Sequence, residues 1–319
     1  MTSTLKGALM ALGGFALFST HDAVVKVLGG SYSPFQILFF SVLFGFPLVM
    51  LMLIHDAERG TLRPVHPWLT LLRTVLGVSV AISAFTAFTI LPLAQVYAIL
   101  FAQPLLITAL SVPVLGERVG PRRWAAVVAG LIGVLIVLRP GAEPLGLGHA
   151  AALVASLGGA GVAVILRKIG AEERAAVLIL YPLIGNFVIA GACLLFVYQP
   201  MPGHHLALAA LISVLGFVAM LLLIAAYRRA EAATVAPMQY SQILWAAGFG
   251  ALFFDEWPDA WTMLGTAVII ASGVVIVMRE STGTTTRVRP VTTARSQRGD
   301  TVPGLRVNVL VNRKEADRD

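Results

Sequence analysis

Long apolar runs separated by short polar breaks dominate the sequence. Ten runs can be delimited: Leu5–Leu28, Pro34–Ile54, Trp68–Leu91, Leu93–Leu115, Arg123–Leu138, Gly148–Leu166, Ala175–Val197, Leu206–Tyr227, Ala232–Phe254 and Ala260–Met278. A helix needs about 20 apolar residues to cross a hydrocarbon core of about 30 Å, and most of these runs approach that length. The breaks contain turn-forming sequences such as GGSYSP and RPGAEPLG. The pattern therefore predicts an all-α polytopic membrane protein with ten transmembrane helices.

The composition agrees with this prediction. Of 319 residues, 58% are hydrophobic and 12% are charged, and the mean hydropathy is +0.86. Soluble domains carry about 25% charged residues, so the composition disfavours a soluble protein with a large core. Lys6 precedes the first run, but no clear small-residue cleavage site follows that run. We therefore expect a retained signal-anchor helix rather than a cleaved signal peptide.

The basic residues are distributed unevenly among the loops. If the N-terminus is cytoplasmic, the opposite loops hold Arg139 alone, whereas the cytoplasmic loops hold Arg59, Arg63, Arg118, Arg122, Arg123, Arg167, Lys168, Arg174, Arg228 and Arg229. The positive-inside rule then places both termini in the cytoplasm. Much of the net charge of +7 lies after Met278, and we expect residues 281–319 to form a disordered basic cytoplasmic tail. The basic residues of the loops therefore report the orientation of the chain rather than a nucleic-acid partner.

Two stretches of the chain, one in each half, resemble each other. A single shift along the sequence aligns Gln103 with Gln242 and Glu117 with Glu256, and a Trp follows each Glu. Each half then holds five spans, and an odd number gives the two halves opposite orientations in the membrane. Inverted repeats of this kind are typical of secondary transporters, whose substrate site lies near the midplane between the halves. The repeat therefore predicts two inverted five-helix units.

The sequence resembles the EamA-type drug/metabolite transporter superfamily. The resemblance rests on ten spans, two five-helix repeats, the stretch PLAQVYAILFAQPLLITALSVPVLGERV and the LGE that ends the fourth span. It extends from about Leu5 to Met278 and implies one EamA-type repeat in residues 1–140 and a second in residues 141–280. It also implies an inner-membrane secondary carrier of small organic metabolites that uses neither ATP nor a bound cofactor.

The first helix is similar to one branch of this superfamily. Efflux members often carry a WG pair there, whereas this chain has STHDAVVKVL. A small residue followed by Asp and Lys resembles the branch that imports cofactor-like compounds such as riboflavin or S-adenosylmethionine. We therefore expect uptake of such a compound by alternating access, with a coupling proton or an exchanged metabolite as second partner. Amino-acid or metabolite efflux, and a membrane scaffold or sensor, remain alternatives.

Three ionisable residues lie close together in that first helix: His21, Asp22 and Lys26. Asp22 lies about 24 Å along the helix from Lys6, and an ionisable side chain inside a membrane is a functional-site hypothesis. Asp22 could pair with Lys26, four residues on, or bind a substrate cation or a coupling proton, and His21 could titrate near neutral pH. The alternative is that Lys26 extends to the membrane surface and Asp22 only neutralises it.

The fourth and ninth spans carry a second polar set. The candidate residues for binding a planar polar solute are Gln95, Tyr97, Gln103, Gln239, Tyr240, Gln242 and Trp245. Amides in hydrocarbon need partners, and the aromatic rings could stack on a solute. The same amides could equally join helices, and the rings could be packing. Pro104 and Pro237 each remove a helix hydrogen bond, so we expect kinks in these two spans.

The remaining charged residues and motifs favour structural roles. We expect Arg73 to extend to the cytoplasmic surface, and Glu117 and Glu256 to cap or anchor the helix that follows each of them. The chain has no GxxxxGK[ST] phosphate loop, no HExxH motif and one cysteine, Cys193. We therefore predict that the protein is not an enzyme and binds no metal or nucleic acid. Its expected partners are an organic solute, the lipid bilayer and, as a candidate, a second copy in a homodimer.

Overall fold

The computed structural model describes residues 3–54, 62–117, 119–140, 145–170 and 172–282, and every regular element in these ranges is helical. The α-helices are α1 (Ser3–Gly29), α2 (Pro34–Ile54), α3 (Pro67–Ile90), α4 (Leu93–Leu100), α5 (Gln103–Leu115), α6 (Pro121–Leu138), α7 (Leu147–Ile169), α8 (Ala175–Val197), α9 (Gly203–Tyr227), α10 (Ala232–Val235), α11 (Ser241–Phe253) and α12 (Ala260–Thr282). A 3₁₀ segment, Ala236–Tyr240, joins α10 to α11.

Eight segments of the described chain are long and apolar enough to cross a membrane. Their bounds follow the predicted runs, and α2 and α8 begin and end at the predicted residues. The tenth run forms α12, whose apolar part, Ala260–Ile276, is shorter. The ninth run is divided among α10, the 3₁₀ segment and α11. The protein is therefore an all-helical multi-pass membrane protein, as predicted.

Both the fourth and the ninth spans are interrupted beside a proline. In the fourth span, α4 ends at Leu100 and α5 begins at Gln103, directly before Pro104. In the ninth span, Pro237 lies within the 3₁₀ segment. Proline has no N–H to donate, and its ring crowds the carbonyl group four residues earlier, so a regular α-helix cannot continue undisturbed. The predicted kinks are confirmed, and α4 and α11 lie in contact with each other.

The first half of the chain packs mainly against the second half. Helix α1 lies against α9, α3 against α7, α2 against α8 and α6 against α12. The main cluster of buried side chains draws on helices of both halves, including α1, α3 and α4 from the first and α7, α9 and α11 from the second. Lipid is as apolar as these side chains, so such contacts depend on close packing and on small residues at the crossings.

Helices α6 and α12 cross at two glycines. A Cβ atom added to Gly265 would lie 2.6 Å from the backbone oxygen of Gly133, and one added to Gly133 would lie 2.9 Å from the backbone oxygen of Gly265. Backbone atoms cannot move aside as the end of a flexible side chain can, so neither position has room for a methyl group. These two glycines therefore set how closely the last span of each half approaches the other.

Parts of the sequence predictions lie outside the described residues. They are the loop residues Arg59 and Arg118 and the basic tail after residue 282. The tail was expected to begin at residue 281, whereas α12 continues to Thr282. The division of the chain into residues 1–140 and 141–280 stays a prediction.

The glycine crossing can be tested by adding one methyl group. Gly265→Ala should lower the free energy of unfolding by about 1–3 kcal/mol, because the new Cβ would overlap the backbone of α6. The measurement is the thermal unfolding midpoint of the purified protein in detergent.

The matched control for this variant is Gly248→Ala on α11, where an added Cβ would meet nothing within 4 Å. In a helix Ala is more favourable than Gly by about 1 kcal/mol, so this variant should unfold at the same or a higher temperature. Equal midpoints for the two variants would contradict the close crossing.

Candidate functional site

A buried carboxylate on α1 lies at the centre of the polar groups inside the bundle. Asp22 is 0% exposed, and its Oδ1 lies 2.8 Å from Nδ1 of its neighbour His21. The hydroxyl of Tyr97, on α4, donates to the other carboxylate oxygen. An ion removed from water loses several kcal/mol of solvation unless nearby donors or charges replace the water. With Asp22 ionised, the Nδ1–H of His21 and the Tyr97 hydroxyl replace part of that solvation.

These contacts extend to the second half of the chain. Oγ of Ser19 lies 3.4 Å from the Tyr97 hydroxyl, and Nε2 of Gln242, on α11, donates to that hydroxyl at 3.5 Å. Ser19 and Asp22 are three residues apart and therefore share a face of α1. We call Ser19, His21, Asp22, Tyr97 and Gln242 the Asp22 cluster. It joins α1 and α4 of the first half to α11 of the second half.

Aromatic rings border the Asp22 cluster. The ring of Phe85 meets the ring of His21 edge to face, with 6.1 Å between their centroids. Phe88 and Phe101 lie 5.6 Å and 5.9 Å from the ring of Tyr97, and all three phenylalanines are buried. The faces of aromatic rings attract cations. A carboxylate among such rings is therefore suited to an organic cation rather than to an anion.

His21 also lines a small cavity between α1, α2, α8 and α9. The cavity has a volume of about 30 Å³, and Ser41, Ile212 and Ser213 are among its walls. The Ser41 hydroxyl lacks a hydrogen-bond partner, whereas the Ser213 hydroxyl donates to the Ser41 carbonyl at 2.5 Å. One water molecule needs roughly 10–15 Å³ of such space, so the cavity has room for about two water molecules. An organic metabolite would require the helices to separate.

Lys26 pairs with a glutamate of the second half rather than with Asp22. Its Nζ lies 2.7 Å from Oε1 of Glu256 and donates to the carbonyl of Leu91 at 2.6 Å. The other carboxylate oxygen of Glu256 accepts from the N–H of Leu93, the first residue of α4, at 3.2 Å. The Lys26 side chain is only 9% exposed. Lys26 therefore follows neither of the possibilities that the sequence left open, because it neither pairs with Asp22 nor extends to the surface. The role expected for Glu256 is wrong, because Glu256 contacts α1 and α4 rather than the helix that follows it.

The structural roles expected for Glu117 and Arg73 are also wrong. Oε1 of Glu117 accepts from Arg167, on α7, at 2.5 Å, so Glu117 binds a helix of the other half rather than capping α6. Arg73 is 4% exposed and donates to the carbonyl of Leu178, on α8, at 2.9 Å. Its guanidinium is therefore buried between α3 and α8 instead of lying at the surface.

The two predicted glutamines of the fourth span contact α7. Nε2 of Gln95 lies 3.2 Å from Nε2 of His149. Gln103 is 8% exposed, and its amide lies against Gly159, whose added Cβ would come within 3.0 Å of it. In this structure both amides join the two halves, which is the role that the sequence left open beside solute binding.

The predicted residues of the ninth span, apart from Gln242, lie outside the Asp22 cluster. Tyr240 packs edge to face on Phe101 at 5.2 Å, and its neighbour Gln239 is half-buried in the 3₁₀ segment. Trp245 is 43% exposed and stacks on Phe249. Among the described residues, no group of three or more His, Cys, Asp or Glu side chains is arranged to hold a metal ion.

Several residues in these contacts were not singled out for a functional role from the sequence, among them Ser19, Ser41 and Arg167. Serines are ordinary in membrane helices, where they bond to the preceding turn, so Ser19 and Ser41 carried no signal. Arg167 did carry one, because the shift that aligns Glu117 with Glu256 brings Lys26 close to Arg167. The repeat could therefore have indicated that these two cations occupy matching positions.

A family model described as the EamA-like transporter family matches the chain twice. The matches cover residues 5–139 and residues 146–278. Together they include nearly all of the chain except the basic tail.

Three relatives with similar sequences are transporters. An S-adenosylmethionine uptake transporter of Rickettsia felis is 26% identical over 88% of this chain and 96% of its own length. A riboflavin transporter of Rhizobium johnstonii is 30% identical over 69% of this chain and 74% of its own length. A pseudopaline exporter of Pseudomonas aeruginosa is 25% identical over 85% of this chain and 95% of its own length.

A protein of known crystal structure shares the fold. It superimposes with a TM-score of 0.59 over 87% of this chain and 99% of its own chain, at 16% sequence identity. At that identity the likeness concerns the fold alone.

The Asp22 cluster can be tested by removing a single oxygen atom. Tyr97→Phe deletes the hydroxyl that bonds to Asp22 and leaves a buried carboxylate oxygen without that donor. We expect a loss of about 1–3 kcal/mol in the free energy of unfolding, measured by thermal unfolding in detergent.

Tyr181→Phe is the matched control for this change. Tyr181 is 37% exposed, and its hydroxyl makes one long bond of 3.4 Å to the Leu62 carbonyl. Exposed substitutions of this kind usually change stability by less than about 0.5 kcal/mol. Similar losses for the two tyrosines would contradict the special role of the buried hydroxyl.

Proposed function

Because this chain belongs to the EamA-like transporter family, we propose that it is a secondary carrier for a small cofactor-like metabolite. The protein is a bacterial inner-membrane transporter and not an enzyme. The proposed substrate is an organic compound with a positive charge, of the S-adenosylmethionine type, and riboflavin is the second candidate. The proposed direction is uptake.

The observation that carries this proposal is the fully buried carboxylate of Asp22 among aromatic rings. A buried charge in a membrane protein is expensive and usually serves a substrate, an ion or a proton. A sulfonium or ammonium group would compensate the charge of Asp22, and the faces of Phe88 and Tyr97 would add cation–π attraction. His21 and Gln242 would supply polar contacts to the rest of the solute.

Alternating access between two inverted five-helix repeats is the proposed mechanism. Its support is the pairing of helices across the halves: α1 contacts α9 and α3 contacts α7, while α2 contacts α8 and α6 contacts α12. If the first span of one half corresponds to the first span of the other, exchanging the halves converts the α1–α9 pair into the α3–α7 pair. The same exchange leaves the α2–α8 pair and the α6–α12 pair unchanged. The excess of basic residues in alternate loops supports the proposed orientation, with both termini in the cytoplasm.

Export is the second candidate function, because one similar transporter is a pseudopaline exporter. Pseudopaline export and S-adenosylmethionine uptake occur in relatives of similar identity. Alternating access is reversible, so the gradients and the coupled partner decide the direction of net flux. The direction of transport therefore has to be measured in cells.

The proposed substrate class can be tested with purified protein in proteoliposomes. Labelled S-adenosylmethionine should enter in a saturable, time-dependent manner, with riboflavin measured in parallel. Asp22→Asn should reduce the initial rate by more than about tenfold, because it removes the charge that faces a buried cation, an effect larger than ~1.4 kcal/mol.

Asp255→Asn provides the matched control for this test. Asp255 is exposed at the end of the ninth span in a left-handed backbone conformation, with φ of 54°, which Asn also adopts readily. It should transport at the wild-type rate. Absence of saturable flux for both compounds would overturn the proposed substrates, and equal rates for Asp22→Asn and wild type would overturn the role of Asp22. In expressing cells, enrichment of the compound in the medium would favour export.

A further inference from the structure

Outside the Asp22 cluster, two mostly buried ion pairs connect the halves of the described chain, in addition to the more exposed pairs Arg139–Asp259 and His66–Glu172. Lys26 pairs with Glu256 at 2.7 Å, and the side chains are 9% and 23% exposed. Arg167 pairs with Glu117 at 2.5 Å, and the side chains are 10% and 13% exposed. Each pair joins the end of the first span of one half to the end of the fourth span of the other half. We call them the Lys26 pair and the Arg167 pair.

The two pairs occupy equivalent positions in the repeat. The two ranges that match the family model begin at residues 5 and 146, and the shift that relates these starts also takes Lys26 to Arg167. The ranges end at residues 139 and 278, and the shift that relates these ends also takes Glu117 to Glu256. The Lys26 pair is therefore converted into the Arg167 pair when the halves are exchanged.

A second set of contacts obeys the same correspondence. The hydroxyl of Tyr32 lies 2.7 Å from Nδ1 of His205, and the carboxylate of Glu173 accepts from the N–H of His66 at 2.6 Å. The shift that takes Lys26 to Arg167 also takes Tyr32 to Glu173, and the shift between the two glutamates also takes His66 to His205. Because two independent polar contacts repeat with the same offsets, chance pairing of surface charges is a poor explanation for either.

The two ion pairs lie at opposite ends of the bundle. From the end of α1, beside Lys26, the chain passes through α2, α3, the α4–α5 span, α6 and α7 before it reaches Arg167. Five passages are an odd number, so the end of α7 is opposite to the end of α1. Three further passages, through α8, α9 and the α10–α11 span, return the chain to Glu256 at the Lys26 end.

His21 and Asp22, which lie between these ends, are not duplicated. At the positions that correspond to His21 and Asp22 in the second half, the chain has Val162 and Ala163. The cavity beside His21 has a volume of about 30 Å³, which is too small for an organic metabolite. In the described part of the chain, Asp22 therefore lies between two mostly buried ion pairs that repeat each other, one at each end of the bundle.

From this arrangement we propose that the Lys26 pair and the Arg167 pair are the two gates of the carrier. Each pair closes the path from the Asp22 cluster to one side of the membrane, and the pairs open alternately. The inference rests on the proposed alternating access and names the residues that carry it. In the orientation proposed above, the Lys26 pair is the outer gate and the Arg167 pair is the inner gate.

The physical basis of the proposal is that each ion pair connects helices that would have to separate for its end of the bundle to open. Lys26 also donates to the Leu91 carbonyl, and Glu256 also accepts from the N–H of Leu93, so this pair ties α1 to the start of the fourth span and the end of the ninth. Both side chains are mostly buried, so little water competes for the ion pair and its loss shifts the balance between closed and open forms. Loss of one pair should open one end and leave the other closed.

The test measures access to the cavity without any substrate. In a Cys193→Ser background, Ser41→Cys places a reporter thiol beside His21, and a membrane-impermeant maleimide is applied to spheroplasts or to inverted vesicles. Lys26→Met should increase the labelling rate from one face by at least about fivefold, and Arg167→Met should do so from the opposite face. Lys168→Met, which removes an exposed charge beside Arg167, should leave the labelling from both faces low.

Conservative variants separate gating from a general loss of structure. Lys26→Arg and Arg167→Lys keep the ion pairs and should restore slow labelling, and all variants should elute as single species in detergent. Labelling that increases from the same face for both Met variants, or from neither face, would overturn the proposal. Because labelling needs no solute, the gates can be supported even if S-adenosylmethionine and riboflavin are not carried. The labelling test can also contradict the two gates while the proteoliposome test still supports uptake through Asp22.

Discussion

The burial of one carboxylate, that of Asp22, is the constraint on which the interior of this protein depends. A carboxylate removed from water needs donors or a cation, and here His21 and Tyr97 donate to it. Tyr97 lies on the short helix α4, and Gln242 of α11 reaches its hydroxyl, so the two interrupted spans meet at this group. The requirement to solvate a single buried charge thus brings together polar groups from both halves of the chain.

The protein duplicates its end contacts but not its central acid. Lys26 and Arg167 have matching positions and matching glutamate partners, whereas the position that corresponds to Asp22 is Ala163. A membrane has two sides, so a carrier that works by alternating access needs a closure at each end. In the proposed mechanism a solute crosses through one interior, so a single charge is sufficient to bind it, and a carboxylate in place of Ala163 would add solvation cost without a partner.

The errors in the sequence-based prediction for Lys26, Glu117 and Glu256 share one cause. The i, i+4 spacing of Asp22 and Lys26 indicated a local pair, and the positions of Glu117 and Glu256 at span ends indicated local caps. In the structure Lys26, Glu117 and Glu256 each bind a residue far away in the sequence. Where little water screens the attraction between charges, a charged side chain binds the oppositely charged group that the packed helices bring nearest, whatever the sequence distance between them. The repeat was the one feature of the sequence that related such distant positions.

The helical spans, the two proline interruptions, the two-fold repeat and the family could all be read from the sequence. Each depends on local properties: the length of an apolar run, the missing N–H of proline and the order of residues within a motif. The membership of the Asp22 cluster, the burial of Arg73 and the pairing of Lys26 with Glu256 followed only from the packed helices. These contacts depend on how α1, α4, α7 and α11 are placed around one another, and side-chain spacing within a single helix carries no information about that placement.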